Sequence, residues 1–169
     1  MRQLLAALFV SFAACSVVAD EKFTVGEGKV TFTAPEGWKK VQPKTRIVEA
    51  EFEVPAAKGD ETAGRLTAMG AGGDVETNIS RWAGQFVGPG GEEVKPQIDK
   101  LMVDGNEVHI VALSGTYKDS PGGPFAGGKT VMRENYKMLG AICVTKAGNY
   151  FVKLYGPKAT CKDWTANAG

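Results

Sequence analysis

The sequence holds one histidine, His109, in 169 residues. A single imidazole excludes a histidine-based metal cluster. It also excludes most nucleophile–histidine dyads unless His109 is itself the base. No Gly-x-Ser-x-Gly elbow is present to pair with it, and its alternation with Val108 and Ile110 reads as a structural position in a strand. Excess charge of one sign is also missing. The net charge is +1, and no basic stripe with interleaved aromatics is found, which excludes a nucleic-acid footprint and polybasic membrane binding. Cysteine is scarce, at three residues. None of them has a histidine or second cysteine at metal-ligand spacing. No segment approaches the roughly 20 apolar residues of a membrane helix, and there are no internal repeats or linkers.

The first nineteen residues read as a signal peptide. Arg2 is the only charge before Asp20, and an apolar run from Leu4 to Ala14 follows it. Val17-Val18-Ala19 offers small residues where a signal peptidase reads, so cleavage before Asp20 is expected. A competing reading is lipoprotein processing at Cys15, with Ala13 and Ala14 suiting a lipobox and Phe12 departing from it. Either route exports the chain, to the periplasm or beyond, and leaves Cys143 and Cys161. A disulfide between them is disfavoured. Cys143 sits mid-strand and Cys161 beyond the end of the returning strand, about 13 Å away at strand rise, whereas bridged Cα atoms lie within about 7 Å. Residues 20–169 read as one domain.

Along that domain, Lys29–Thr33 alternates and ends at Pro35-Glu36-Gly37. Arg46–Val54 is the clearest strand, with Val48, Ala50, Phe52 and Val54 on one face and Ile47, Glu49, Glu51 and Glu53 on the other. Arg65–Met69 forms a third strand. Asp74 is a suitable N-cap for a helix from Val75 to Phe86, whose Val75, Ile79, Trp82, Ala83 and Phe86 share one arc. Two hairpins follow, Ile98–Tyr117 turning at Asp104-Gly105 and Tyr136–Gly156 turning at Ala147-Gly148. Thr160-Cys161-Lys162-Asp163 opens a last helix with fewer than ten residues to form it. This order of elements predicts an α+β sandwich, a central antiparallel sheet with one long helix and a short C-terminal helix.

Several constellations could carry chemistry. Gly123-Pro124-Phe125-Ala126-Gly127-Gly128-Lys129-Thr130 matches the phosphate-loop pattern, but Pro124 removes an amide, the preceding strand ends early, and no magnesium-holding Asp follows a later strand. No nucleotide binding is expected. Gly70-Ala71-Gly72-Gly73 is a weak echo of a dinucleotide fingerprint and reads better as a tight turn before the N-cap, with an anion on its amides as the alternative. Glu49, Glu51 and Glu53, spaced about 6–7 Å apart, could hold a cation or flank a glycosidic bond, but a solvated sheet face is the commoner use. Asn78-Ile79-Ser80 matches an N-glycosylation acceptor of little use to a bacterial envelope protein. On the helix, Asn78, Arg81 and Gln85 form a polar stripe beside the apolar arc. It is either a partner surface or a set of hydrogen bonds that holds the helix in place.

Three segments carry a resemblance that spans the chain after the leader. They are Gly72-Gly73-Asp74-Val75-Glu76-Thr77-Asn78-Ile79-Ser80-Arg81-Trp82-Ala83-Gly84-Gln85-Phe86, Met138-Leu139-Gly140-Ala141-Ile142 and Tyr150-Phe151-Val152-Lys153-Leu154-Tyr155-Gly156-Pro157. Together they resemble a group of uncharacterised exported bacterial proteins with the look of the PsbP/Mog-type fold, named for a photosystem II extrinsic subunit and a Ran-binding protein. The resemblance implies an antiparallel sheet with helices on its faces and no known activity, and members that continue with a longer C-terminal helix, so the last helix here is expected to be short or truncated. The function expected is a non-enzymatic extracytoplasmic binding or accessory module for a protein or an envelope component, with no cofactor and no metal. The alternatives are an envelope hydrolase using the acidic strand and a purely structural envelope protein.

Overall fold

A computed structural model describes residues 20–120 and 129–161. The leader, Cys15, most of the phosphate-loop match and the segment after Cys161 lie outside the described residues. Of the described residues strand accounts for 56% and helix for 7%.

Among the described residues ten strands and one helix follow in the order β1 (Glu21–Val25), β2 (Val30–Ala34), β3 (Lys39–Val41), β4 (Ala50–Val54), β5 (Gly64–Ala71), α1 (Val75–Ala83), β6 (Phe86–Val87), β7 (Gln97–Val103), β8 (Asn106–Asp119), β9 (Val131–Thr145) and β10 (Gly148–Pro157). Eight of them form one antiparallel sheet in the order β3-β4-β5-β10-β9-β8-β6, with β7 pairing β8 on the same side as β6. The sheet is built on two long hairpins. Asp104 and Gly105 both take positive φ, at 48° and 77°, as the tight turn between β7 and β8 requires. The β9–β10 hairpin turns at Lys146-Ala147, and Cys143 pairs with Tyr150 across it.

Side chains alternate between two covered faces. On one, Phe52, Leu66, Ala68, Val152 and Leu154 pack under the β1–β2 hairpin, with Phe23 against Phe52 at 4.8 Å between ring centroids. On the other, Val111, Leu113, Met138, Ile142 and Phe151 lie under α1 through Ile79 and Trp82. Gly140 makes that seating possible. A Cβ there would stand 2.3 Å from Trp82 Cζ3, so the indole rests directly on the strand backbone.

Among the described residues the fold is therefore mostly antiparallel sheet with one short helix, not the expected α+β sandwich with a long helix; the expected C-terminal helix lies outside the described residues. The helix exists where its arc placed it, but nine residues span only about two and a half turns. Gly84 caps it, and Phe86 leaves to pair with Tyr117 as strand β6. The sheet's second cover is a hairpin, in which β1, unread in the sequence, pairs with β2. The strand expected from Arg46 starts only at Ala50. Lys44 N donates to the Glu51 carboxylate at 3.1 Å and Val48 N to Thr45 O at 3.3 Å, which turns residues 44–48 back on themselves.

Candidate functional site

The helix stripe divides by depth. Asn78 is buried, and its Nδ2 donates to Asp74 O at 2.9 Å and Gly72 O at 3.3 Å, tying the helix start to the preceding turn. Its Oδ1 accepts from Arg81 Nη2. Arg81 itself is exposed. Gln85 lies beyond the helix end, where its Oε1 accepts from Lys153 Nζ at 2.5 Å and its carbonyl accepts from Lys118 N. The stripe thus runs from a buried anchor through an exposed guanidinium to an amide that holds a lysine of the central strand.

Around Lys153 the structure gathers a basic, aromatic cluster that sequence reasoning missed. The ammonium lies 4.8 Å from the Tyr155 ring centroid and 5.4 Å from that of Tyr117. Tyr117 stacks on Tyr136 with an interplanar angle of 3°. Arg65, on the neighbouring strand, donates from Nε and Nη2 to the two Glu51 oxygens at 2.7 and 2.9 Å, and from Nη1 to Tyr155 Oη at 2.6 Å. Burial, then the positive charges of Arg65 and Arg81, push the Lys153 ammonium down to about 7. Burial also raises the Tyr117 and Tyr155 phenols. The signal was legible in part. Lys153 shares its strand face with Phe151 and Tyr155, and a lone cation at period two in an apolar strand is an anomaly.

The opposite face carries a groove of about 960 Å³ between the β1–β2 hairpin and strands β7 to β9. Val30 and Phe32 form one wall, Leu101 and Val103 another, and Ile110 and Leu139 lie on the floor with Cys143. Lys29 and Lys146 stand on its lining with Asp104. Leu101 and Val103 of β7, which line it, are exposed apolar side chains, whereas the exposed Ile98 and Met102 of the same strand have the opposite parity.

The other sequence candidates do not converge. Glu49 accepts from Gly26 N at 2.6 Å and Gly70 N at 2.9 Å, and Glu51 is buried against Arg65. Glu49 and Glu53 are exposed and Glu51 is buried. His109 is buried on β8, with Nε2 2.5 Å from Glu107 Oε1. Four strand spacings, about 19 Å, separate it from β4. Among the described residues no cluster of three or more His, Cys, Asp or Glu is placed to hold a metal ion. Asp74 caps α1 with its own carboxylate, accepting from Thr77 N at 2.8 Å, and Glu49 takes the Gly70 amide. After Lys129-Thr130 the chain enters β9, where the phosphate loop requires a helix. Cys143 and Cys161 are free and buried, and burial raises both thiols, Cys161 to about 12. Among the described residues no helix is long and apolar enough to cross a membrane.

No family model matches the chain, and no curated protein matches it. Among solved structures it is similar to the crystal structure of PA94, a protein of unknown function from Pseudomonas aeruginosa, with a TM-score of 0.42 and 12% identity over 83% of this chain and 85% of that one. None of these comparisons bears on the resemblance to exported PsbP/Mog-like proteins.

Proposed function

We propose that this protein is a non-enzymatic extracytoplasmic binding module, and that its ligand is an acyl-chain-bearing component of the cell envelope held in the groove beside the β1–β2 hairpin. The observation that carries the reading is the groove itself. Its volume of about 960 Å³ falls at the upper end of the range for small-molecule sites, which are mostly apolar with a few polar groups. Each methylene buried there contributes about 0.8 kcal/mol, so ten or more would offset the several kcal/mol lost on association. Lys29 and Lys146 suit an anionic head group.

The hydrolase alternative is supported less well. The acidic strand and His109 are far apart, and the carboxylates of Glu49 and Glu51 already accept internal donors. The export half of the proposal rests on the leader, and the intact mass of the exported chain is expected to begin at Asp20.

The test is displacement of an anilinonaphthalene dye by palmitate. Saturable displacement in the micromolar range is expected. Leu101 is 39% exposed on the groove wall, so Leu101→Asp leaves the fold intact and should weaken palmitate at least tenfold. The absence of saturable displacement, or a Leu101→Asp protein that binds as tightly as the parent, would overturn the reading.

A further inference from the structure

We propose, resting on the acyl-chain reading, that the groove is directional. It takes a long-chain acyl anion with its head at the hairpin-turn end, between Lys29 and Lys146, and its chain running inward to Leu139.

Polar and apolar lining residues are sorted along the strands. Three turns meet at one end of the groove: residues 26–29 between β1 and β2, Asp104-Gly105 between β7 and β8, and Lys146-Ala147 between β9 and β10. The charged lining residues, Lys29, Asp104 and Lys146, all lie in those turns, and the neutral polar ones, Thr31, Asn106 and Thr145, lie within two residues of them. Inward from the turns the lining is apolar rung by rung. Leu101, Val108 and Cys143 stand opposite one another across β7, β8 and β9. Ile110 pairs with Ala141 on the next rung, and Leu139 ends the row. Period-two alternation puts every second strand residue on this floor, whereas the turns hold the polar residues that satisfy their own backbone. From Thr145 to Leu139 the floor runs about 20 Å at strand rise. That matches an extended chain of about sixteen carbons, which advances about 1.3 Å per 1.5 Å bond.

Free positive charge is found at the turn end. Thr145 Oγ1 donates to Gly148 O at 2.8 Å and accepts from Ala147 N at 3.1 Å, and Asn106 Nδ2 donates to Asp104 O at 3.3 Å. Both side chains are thus engaged in holding their turns. Lys29 and Lys146 are exposed, and among the described residues no carboxylate lies within 4.0 Å of either. Two ammonium groups against the one carboxylate of Asp104 leave this end positive. Towards the inner end the sign reverses. Asp99 pairs with Ile110 and has the parity of Leu101, so its carboxylate stands on the groove side of β7. An anionic head is attracted to the turns and repelled from the inner rungs, where it would also lose water without gaining a partner.

Stearate carrying a nitroxide at carbon 5 or at carbon 16 reads the direction on the ¹⁵N-labelled protein. The carbon-5 label is expected to broaden the amide signals of Gly105 and Ala147 more than those of Ile110 and Leu139, and the carbon-16 label to do the opposite. The reverse pattern, or the same pattern from both labels, would overturn the direction and leave the acyl-chain reading standing. No broadening at any of the four amides would overturn both. Head-group charge is tested separately in a protein with Lys29→Glu and Lys146→Glu, two exposed changes that spare the core. Palmitate should bind roughly tenfold more weakly to it. Monopalmitoylglycerol, with the same chain and an uncharged head, should change less than about twofold. Palmitate binding equal to that of the parent would refute the placement of the head, as would equal losses for the two ligands.

Discussion

The seating of Trp82 on Gly140 predicts a specific non-additivity. Trp82 is 5% exposed and meets Phe151 edge-on at 6.0 Å. A buried indole removes about 150–250 Å² from water, which at about 25 cal/mol per Å² amounts to several kcal/mol. Trp82→Ala should therefore cost about 3–5 kcal/mol once the cavity is included. Gly140→Ala adds one methyl group whose carbon would stand 2.3 Å from Cζ3, 2.9 Å from Cη2 and 3.0 Å from Cε3 of that ring. The indole is wedged between helix and sheet and has no free end to swing away. The overpacking should cost about 1–3 kcal/mol, or a few to about ten degrees in Tm for a domain of this size. In the Trp82→Ala background the same methyl projects into the cavity. Gly140→Ala should then be neutral, or stabilising by up to about 1 kcal/mol through the stiffer unfolded chain. The coupling between the two positions is thus about 1–4 kcal/mol and of compensating sign. Urea unfolding of the four proteins, followed by far-ultraviolet circular dichroism, measures it. Two costs that simply add would refute the helix seating, as would a Trp82→Ala protein that unfolds like the parent.

Two further outcomes follow from buried groups. Glu51 is almost wholly buried; burial alone would raise its carboxyl, but the hydrogen bonds from Arg65 and Lys44 N outweigh that and hold it below its ordinary value of 4.5. A depressed carboxyl contributes stability above its unfolded value and loses it as pH falls through the folded value, so this contribution should fade only below about pH 4.5. Glu51→Gln leaves half-buried Arg65 without its counter-charge and should cost about 1.5–3 kcal/mol at neutral pH, with a flatter acid limb of the stability curve. Cys143 and Cys161 are buried free thiols, so a thiol reagent should label neither in the native protein and both after denaturation; rapid native labelling of either would contradict their burial.

Much of the local structure was determined by the sequence alone. The alternation of β4 and the Asp104-Gly105 turn follow from short-range sterics and side-chain period. The arc of Val75, Ile79 and Trp82 and the Asp74 cap do as well. Each depends on residues within a few positions of one another. What the tertiary structure decided is everything that requires two distant segments to meet. Helical periodicity carried the arc through Phe86, but pairing with Tyr117, some thirty residues away, ends it as a strand. The second sheet cover is a hairpin because β1 finds β2, and that single pairing turned an expected helical layer into sheet. The acidic face of β4 reads as solvated, whereas Arg65 on the next strand buries Glu51. The Asn78, Arg81 and Gln85 stripe was legible as a stripe, but its meaning was not. Lys153 reaches Gln85 from sixty-eight residues away, and only the sheet register, which pairs Tyr155 with Arg65, brings Lys153 and Arg65 to the same aromatic ring. Sequence period tells which way a side chain points; the closing of long loops decides what it points at.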